Sequence, residues 1–197
     1  WMTPNCVKPW TKRIQSILNM DRPKNTTDVR SFLGAVNHYK SMWPRRAHVL
    51  APLSEMTGIG TFQWDERKQK AFKEMKAILC ADALNAYPDY SIPFHIYTDA
   101  SDYQLGSAII QSNRPIAYYS KKLTSCQKNY TTTEKELLAI VLTLRDYRKI
   151  LHGAVIFIYT DHKNLTPGEK KIKLKVRILK LKHFITLIQE LRCFKEY

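Results

Sequence analysis

Apolar residues recur at the spacing of one helix face along the first third of the chain. Ile14, Ile17 and Leu18, with Met20 at the margin, share such a face in a short helix that must end before Pro23, because proline lacks the amide a helix needs. Val29, Phe32, Leu33, Val36 and Tyr39 repeat the spacing in a second helix, for which Thr26 or Thr27 offers a cap and Trp43-Pro44 a break. A third, short helix carries Leu50, Leu53 and Met56 and stops at Gly58-Ile59-Gly60. After Asp65 an amphipathic helix turns Ala71, Phe72, Met75, Ile78 and Leu79 inward and Arg67, Lys68, Lys70, Lys73 and Lys76 outward. That basic row is compatible with a solvated face and equally with a surface that contacts phosphates.

From Ile92 the period changes to two. Phe94, Ile96 and Thr98 alternate with His95 and Tyr97, which predicts a strand ending at Asp99. A second strand is predicted over Leu105 to Gln111 and a third over Pro115 to Ser120, joined by short turns at Ser101-Asp102 and Ser112-Asn113-Arg114, so these three pair antiparallel. Thr131 to Glu134 has capping-box spacing and opens a long helix with Leu137, Leu138, Ile140, Val141 and Leu144 apolar. Val155 to Thr160 is a nearly continuous β-branched and aromatic run, expected as a central strand buried on both faces and ending at Asp161. Strand, long helix, strand in this order implies a crossover to a parallel neighbour. Beyond it, Lys170, Lys171, Lys173 and Lys175 decorate the entrance to a predicted helix from Val176 to about Leu191, and Arg192 to Tyr197 resembles the start of a fifth strand.

Charge changes this picture from a fold to a function class. The chain carries a formal +15, with 14 basic and 8 acidic residues to Ile92, 9 and 6 from there to Pro167, and 9 and 3 beyond. An excess spread along the whole length suits a polyanion, since each neutralised phosphate releases counterions; solubility or an acidic protein partner are the plainer alternatives. Cys6, Cys80, Cys126 and Cys193 form no CxxC pair, and the six histidines show no HExxH spacing. Zinc ribbons, zinc hydrolases and disulfide scaffolds are thereby disfavoured, and a reducing, intracellular setting is expected. No apolar run approaches the roughly 20 residues of a membrane span. A start at Trp1-Met2-Thr3-Pro4 reads as a fragment or a processed product.

Three carboxylates hold telling places. Asp99 ends the first strand, Glu136 lies near the start of the long helix and Asp161 ends the fourth strand. If the two strands are neighbours, both aspartates emerge at one sheet edge, the usual crevice of an α/β sheet, and the helix start brings Glu136 to it. Converging carboxylates without histidines or thiolates suit Mg²⁺ or Mn²⁺, and metal-assisted phosphodiester cleavage would explain why a cationic chain gathers acids at one point. The structural alternative is that Glu136 merely complements the helix dipole and the aspartates merely terminate strands.

Longer motifs carry a family resemblance. Tyr97-Thr98-Asp99-Ala100-Ser101 resembles the "TDAS" opening of the RNase H domain in gypsy-type LTR retrotransposons. Pro115 to Thr124, then Asn129-Tyr130-Thr131 and Thr132 to Val141, resemble that family's "PIAYxSRKLTxxxxNYxTTEKELLAIV" block, and Tyr159 to Thr166 its "TDHKxLT" segment. Upstream, Arg30-Ser31-Phe32-Leu33-Gly34 with Asn37-His38-Tyr39, then Ala51-Pro52-Leu53, Phe62-Gln63-Trp64 and Ala71-Phe72 are similar to its thumb and connection. The resemblance covers nearly all of positions 8 to 166 in consistent order. It implies an α/β, RNase H-like mixed sheet: three antiparallel strands, a crossover helix and a parallel central strand, preceded by a small helical region. On this reading 1–60 is a helical thumb, 61–91 a connection and 92–197 an RNase H-like domain that is incomplete at its C-terminal end.

What the resemblance implies for chemistry is an endonuclease that cuts the RNA strand of RNA–DNA hybrids, in its parent protein coupled to reverse transcription. Its metal-binding acids fall on Asp99, Glu136 and Asp161; Glu134 fits the capping box, which leaves it the main alternative to Glu136. Ser101, Lys163, Asn164, Arg30 and Lys40 are the expected nucleic-acid contacts, Asp102 is a turn residue and His162 a neighbour of the site. Two departures qualify this. The "YxDD" polymerase hairpin is absent, no "ADALSR"-like motif bearing a fourth acid follows Thr166, and the stretch after Thr166 looks shortened. Polymerisation by this segment is therefore not expected. A catalytically incomplete module that binds nucleic acid, or that serves as a subunit of a larger assembly with other chains, stands as the alternative to an active nuclease.

Overall fold

Alternating burial along two successive strands sets up the sheet. In the computed structural model, which describes residues 6–58, 61–80, 85–160 and, as backbone, 171–175, β1 (Phe94–Ala100) and β2 (Gln104–Gln111) each turn every second residue toward one layer, whereas β3 (Arg114–Lys122) buries the neighbours Ile116-Ala117 and Tyr119-Ser120, beside an irregularity in its pairing with β2. β1 pairs antiparallel with β2, placing Asp99 opposite Gly106. β2 pairs antiparallel with β3 around a two-residue turn in which Ser112 (φ 46) and Asn113 (φ 58) are both left-handed. Positive φ at both positions gives the turn a twist that matches the strands. The order of the five strands is β3-β2-β1-β4-β5.

β4 (Val155–Tyr159) runs parallel to β1, as the strand–helix–strand order predicts. Only one of its faces is fully buried. Ile156 and Ile158 pack inward, whereas the outer face is half-covered by an aromatic stack of its own. The Tyr97 and Tyr159 rings lie 4.6 Å apart at 11°, His95 stacks on both Phe157 and Tyr159, and His95 Nδ1 meets the Tyr159 hydroxyl at 2.9 Å. The expectation of burial on both sides misread aromatic content as depth: rings can shield one another at a surface. β5 (Lys171–Lys175) pairs antiparallel with β4, where a basic helix entrance was expected. The Lys-Ile-Lys-Leu-Lys alternation is a period-two signal that lysine content obscured. The tail from Val176 and the expected last strand at Arg192 to Tyr197 lie outside the described residues.

The crossover helix α7 (Thr132–Asp146) lies against β1 and β2. Its Leu138, Ile140 and Leu144 join Phe94, Ile96, Leu105, Ile109, Ile156 and Ile158 in one core. Ser107 and Thr143 satisfy each other inside that layer at 2.8 Å, so two buried hydroxyls carry no desolvation penalty. Short helices α6 (Ser125–Lys128), held by a capping box of Thr124 and Gln127, and α8 (Arg148–Leu151) flank α7.

A second core is helical. It gathers α1 (Thr11–Leu18), α2 (Thr26–Asn37), α3 (Arg46–Val49), α4 (Ala51–Glu55) and α5 (Glu66–Cys80) around Ile17, Phe32, Leu53 and Met75, each at most 1% exposed. The cap of α2 is Asn25, whose side chain accepts from the Asp28 amide at 2.8 Å, and not Thr26 or Thr27. An asparagine carbonyl on extended backbone reaches that amide; both threonines already have helical backbone.

The two cores meet along β3. The Tyr118 amide donates to the Ser41 carbonyl (2.8 Å), the Ala47 amide to Ser120 Oγ (3.0 Å) and the Ala86 amide to the Pro115 carbonyl (2.7 Å), so helical and linker segments satisfy what would otherwise be an open edge. The Tyr147 hydroxyl donates to the Tyr118 carbonyl at 2.6 Å and anchors the same edge to the end of α7. Burial first, then Asp146, pushes that hydroxyl's pKa up from 10.0 to about 12, with Arg46 opposing. A raised pKa favours the neutral form in the folded state, so this contribution is whole below pH about 10 and is lost as pH climbs toward about 12. Tyr147→Phe is expected to cost about 1–2 kcal/mol in urea unfolding at neutral pH, through the orphaned carbonyl, and to lose less stability than the wild type between those two pH values.

Candidate carboxylate site

The start of α7 decides which glutamate faces the sheet. Thr131 Oγ1 accepts from the Glu134 amide (3.3 Å), and the Glu134 carboxylate accepts from the Thr131 amide (2.7 Å) and hydroxyl (2.8 Å). This reciprocal box holds Glu134 at the helix exterior. Two residues on, a helix has rotated by about 200°, so Glu136 points the opposite way. Glu136 is 2% exposed. Its Oε1 accepts from the Ala100 amide at 2.9 Å and its Oε2 from the Thr160 hydroxyl at 3.3 Å.

Those two partners stand at the ends of parallel neighbours. Ala100 closes β1 directly after Asp99, and Thr160 follows β4 directly before Asp161. A single carboxylate thus links the β1 and β4 termini. Thr98 adds to the link by donating to the Tyr159 carbonyl at 3.3 Å. Asp99 is exposed on the face opposite Thr98, in line with Tyr97. Asp161, His162, Lys163 and Asn164 lie outside the described residues. Among the described residues no three His, Cys, Asp or Glu side chains gather closely enough to hold a metal ion.

Of the other expected positions, Ser101 is used within its turn: its Oγ accepts from the Tyr103 and Gln104 amides and donates to the Gln104 carbonyl. Arg30 donates to the Thr57 carbonyl at 2.8 Å and ties α2 to the end of α4. Lys40, 59% exposed along its side chain, pairs with Asp146 at 3.5 Å. Asp102 does sit in the β1–β2 turn, and the Lys135 ammonium reaches it at 2.7 Å. That hydrogen bond, then the lysine's charge, holds the Asp102 carboxyl below its ordinary value. Lys135 is the residue that reading the sequence missed. Its side chain is only 7% exposed, beside Glu136 on the helix, against 83% for Asp102. A lysine adjacent to an inward glutamate was the available signal.

Strand order, the crossover helix and the carboxylate at the paired strand ends together define a mixed α/β, RNase H-like fold. Residues 64–158 match the family described as an RNase H-like domain found in reverse transcriptase. The chain is 33% identical over 211 aligned residues to a retrovirus-related Pol polyprotein from transposon opus of Drosophila melanogaster, covering 98% of this chain and 20% of that protein. It is 30% identical over 165 residues to the transposon Tf2-3 polyprotein of Schizosaccharomyces pombe (strain 972 / ATCC 24843), covering 80% of this chain and 12% of that one. It therefore spans a fifth or less of these relatives. Among solved structures, a foamy viral protease-reverse transcriptase in complex with RNA/DNA hybrid aligns at a TM-score of 0.71 and 20% identity, over 91% of this chain and 25% of that one. At that identity the likeness speaks for the fold.

Two substitutions separate the hydrogen bonds of Glu136 from its charge. Glu136→Ala should destabilise by about 2–3 kcal/mol in urea unfolding, because the Ala100 amide and the Thr160 hydroxyl lose this acceptor in a dry setting. Glu136→Gln keeps the shape and one good acceptor, and should cost less than about 1 kcal/mol.

Proposed function

We propose that this chain is the part of a retroelement Pol polyprotein that cuts the RNA strand of RNA–DNA hybrids by RNase H-type hydrolysis, in its parent protein coupled to reverse transcription. The observation that carries the reading is Glu136. Glu136 is buried and accepts from Ala100, which follows Asp99 in the chain, and from Thr160, which precedes Asp161, and this supports reading the three expected acids as one site. The similarity to a retrovirus-related Pol polyprotein from a transposon, and to a reverse transcriptase solved with a hybrid, supports the substrate class.

The donor set fits a hard divalent cation. Asp99, Glu136 and Asp161 would offer oxygens alone, the chemistry that Mg²⁺ or Mn²⁺ takes. The chemistry that a bound divalent ion would supply there is a lowered pKa for water and stabilised charge on the leaving oxygen of a phosphodiester. The chain's own residues do the positioning. The Ala100 amide and Thr160 hydroxyl orient Glu136, exposed Asp99 is open to a strand arriving from solvent, and the Lys135–Asp102 pair holds the turn after β1 against α7. Backbone contacts from the basic helical region would read duplex shape and 2′-hydroxyls in preference to sequence. Of the expected contacts among the described residues, Lys40 is held only by a long ion pair, while Ser101 and Arg30 serve local structure. The absence of any CxxC pair in the sequence is what supports a reducing, intracellular setting.

The test is cleavage of an end-labelled RNA–DNA hybrid in Mg²⁺ or Mn²⁺. Wild type should cut the RNA strand, chelation should stop it, and Asp99→Asn and Glu136→Gln should each lower the rate by on the order of 100-fold or more. Cutting by Asp99→Asn at the wild-type rate would sink the assignment. Salt-dependent hybrid binding without cleavage would support a binding module instead.

A further inference from the structure

The joint between the helical core and β3 holds a cleft of about 400 Å³ that the carboxylate site does not use. Lys40, Arg46, Lys121 and Arg145 line it, with Asp146 as the one acid among its lining residues. That carboxylate is shared, 3.5 Å from Lys40 and 3.9 Å from Arg145, so neither pair is tight. Arg46 is less well served still. Its guanidinium donates to the neutral Asn37 side-chain oxygen, and its Nε is buried with no acceptor among the described residues. Burial also depresses its pKa, the direction expected of a cation short of counter-charge. Lys121 makes no ion pair among the described residues. Ser120 Oγ accepts from the Ala47 amide and so keeps its own proton free to donate into the cleft.

Gathering cations and desolvating one of them is unfavourable unless an anion completes the set. The bidentate fork of an arginine, flanked by lysines and a hydroxyl, matches a tetrahedral oxyanion. We propose that this cleft binds one phosphate of a nucleic-acid backbone and thereby fixes the duplex at the joint between the helical region and the sheet. The proposal rests on the nucleic-acid reading above and adds a contact point that is separate from the acids. An arginine at a strained position precedes it: Arg45 holds φ at 53, left-handed backbone that a non-glycine residue adopts only when the surroundings demand it, at the start of the helix that carries Arg46.

The experiment is a binding titration with a labelled RNA–DNA hybrid, in chelator to prevent cutting, from about 50 to 200 mM salt, the range over which phosphate contacts show their slope. Lys121→Gln and Arg46→Gln should each weaken binding several-fold and reduce the salt slope by about one phosphate. Asp146→Asn should act oppositely and tighten binding about 2- to 5-fold, a gain that misfolding cannot imitate. Thermal melting accompanies Arg46→Gln, because that variant also loses the bond to Asn37. A wild-type slope left unchanged in Lys121→Gln and Asp146→Asn would overturn the cleft proposal alone. Wild-type binding with no salt dependence would overturn the nucleic-acid reading with it. Binding of an acidic peptide that these variants abolish, beside unaltered hybrid binding, would reassign the cleft to a protein partner.

Discussion

A carboxylate in a dry interior must be held by hydrogen bonds or by positive charge, and Glu136 shows how this fold meets that requirement. Its two oxygens take the amide that closes β1 and the hydroxyl that follows β4. Parallel strands make this possible, because their C-terminal ends fall at the same edge, whereas antiparallel neighbours would present one terminus of each kind. The crossover helix exists to join such a pair, and its first turns arrive at that edge. Helix start, strand order and the acid's position are therefore one constraint.

The neighbouring lysine belongs to the same arrangement. Lys135 would be costly to bury alone; its ammonium reaches outward to the exposed Asp102 carboxylate. Adjacent residues of α7 thus grip both sides of the segment after β1, Glu136 through the Ala100 amide and Lys135 through the turn. Such a grip fixes the backbone on which Asp99 stands. Preorganisation of this kind is what the proposed hydrolysis would need from the protein, since most of the gain lies in groups already in place.

Charge is distributed to a different end. The cations are spread over the chain, and where they crowd together, at the joint along β3, they meet a single acid. The joint itself is made mainly of backbone hydrogen bonds to an edge strand, with the Tyr147 hydroxyl as a side-chain bolt. An edge closed in this way resists pairing with other chains, and it couples the helical core mechanically to the sheet that carries Asp99.

Most elements were legible in the sequence because period and punctuation are local: the helical repeats of the first third, the first three strands, and the box at Thr131 and Glu134. Parallel pairing of the first and fourth strands followed from element order. Other features were not legible, for physical reasons. Which side of β4 would be covered depended on rings of two strands stacking on one another, and the strand at Lys171–Lys175 hid its alternation behind lysines. The cap of α2 fell one residue earlier because backbone conformation, not residue preference, chose Asn25. By itself the sequence determined the alternation, the helix start and the place of Asp99 near the end of β1, all properties of near neighbours. Only tertiary structure decided that Glu136 is buried between Ala100 and Thr160, that Lys135 reaches Asp102, and that four cations line one cleft with Asp146, since each joins segments that meet only when the sheet closes.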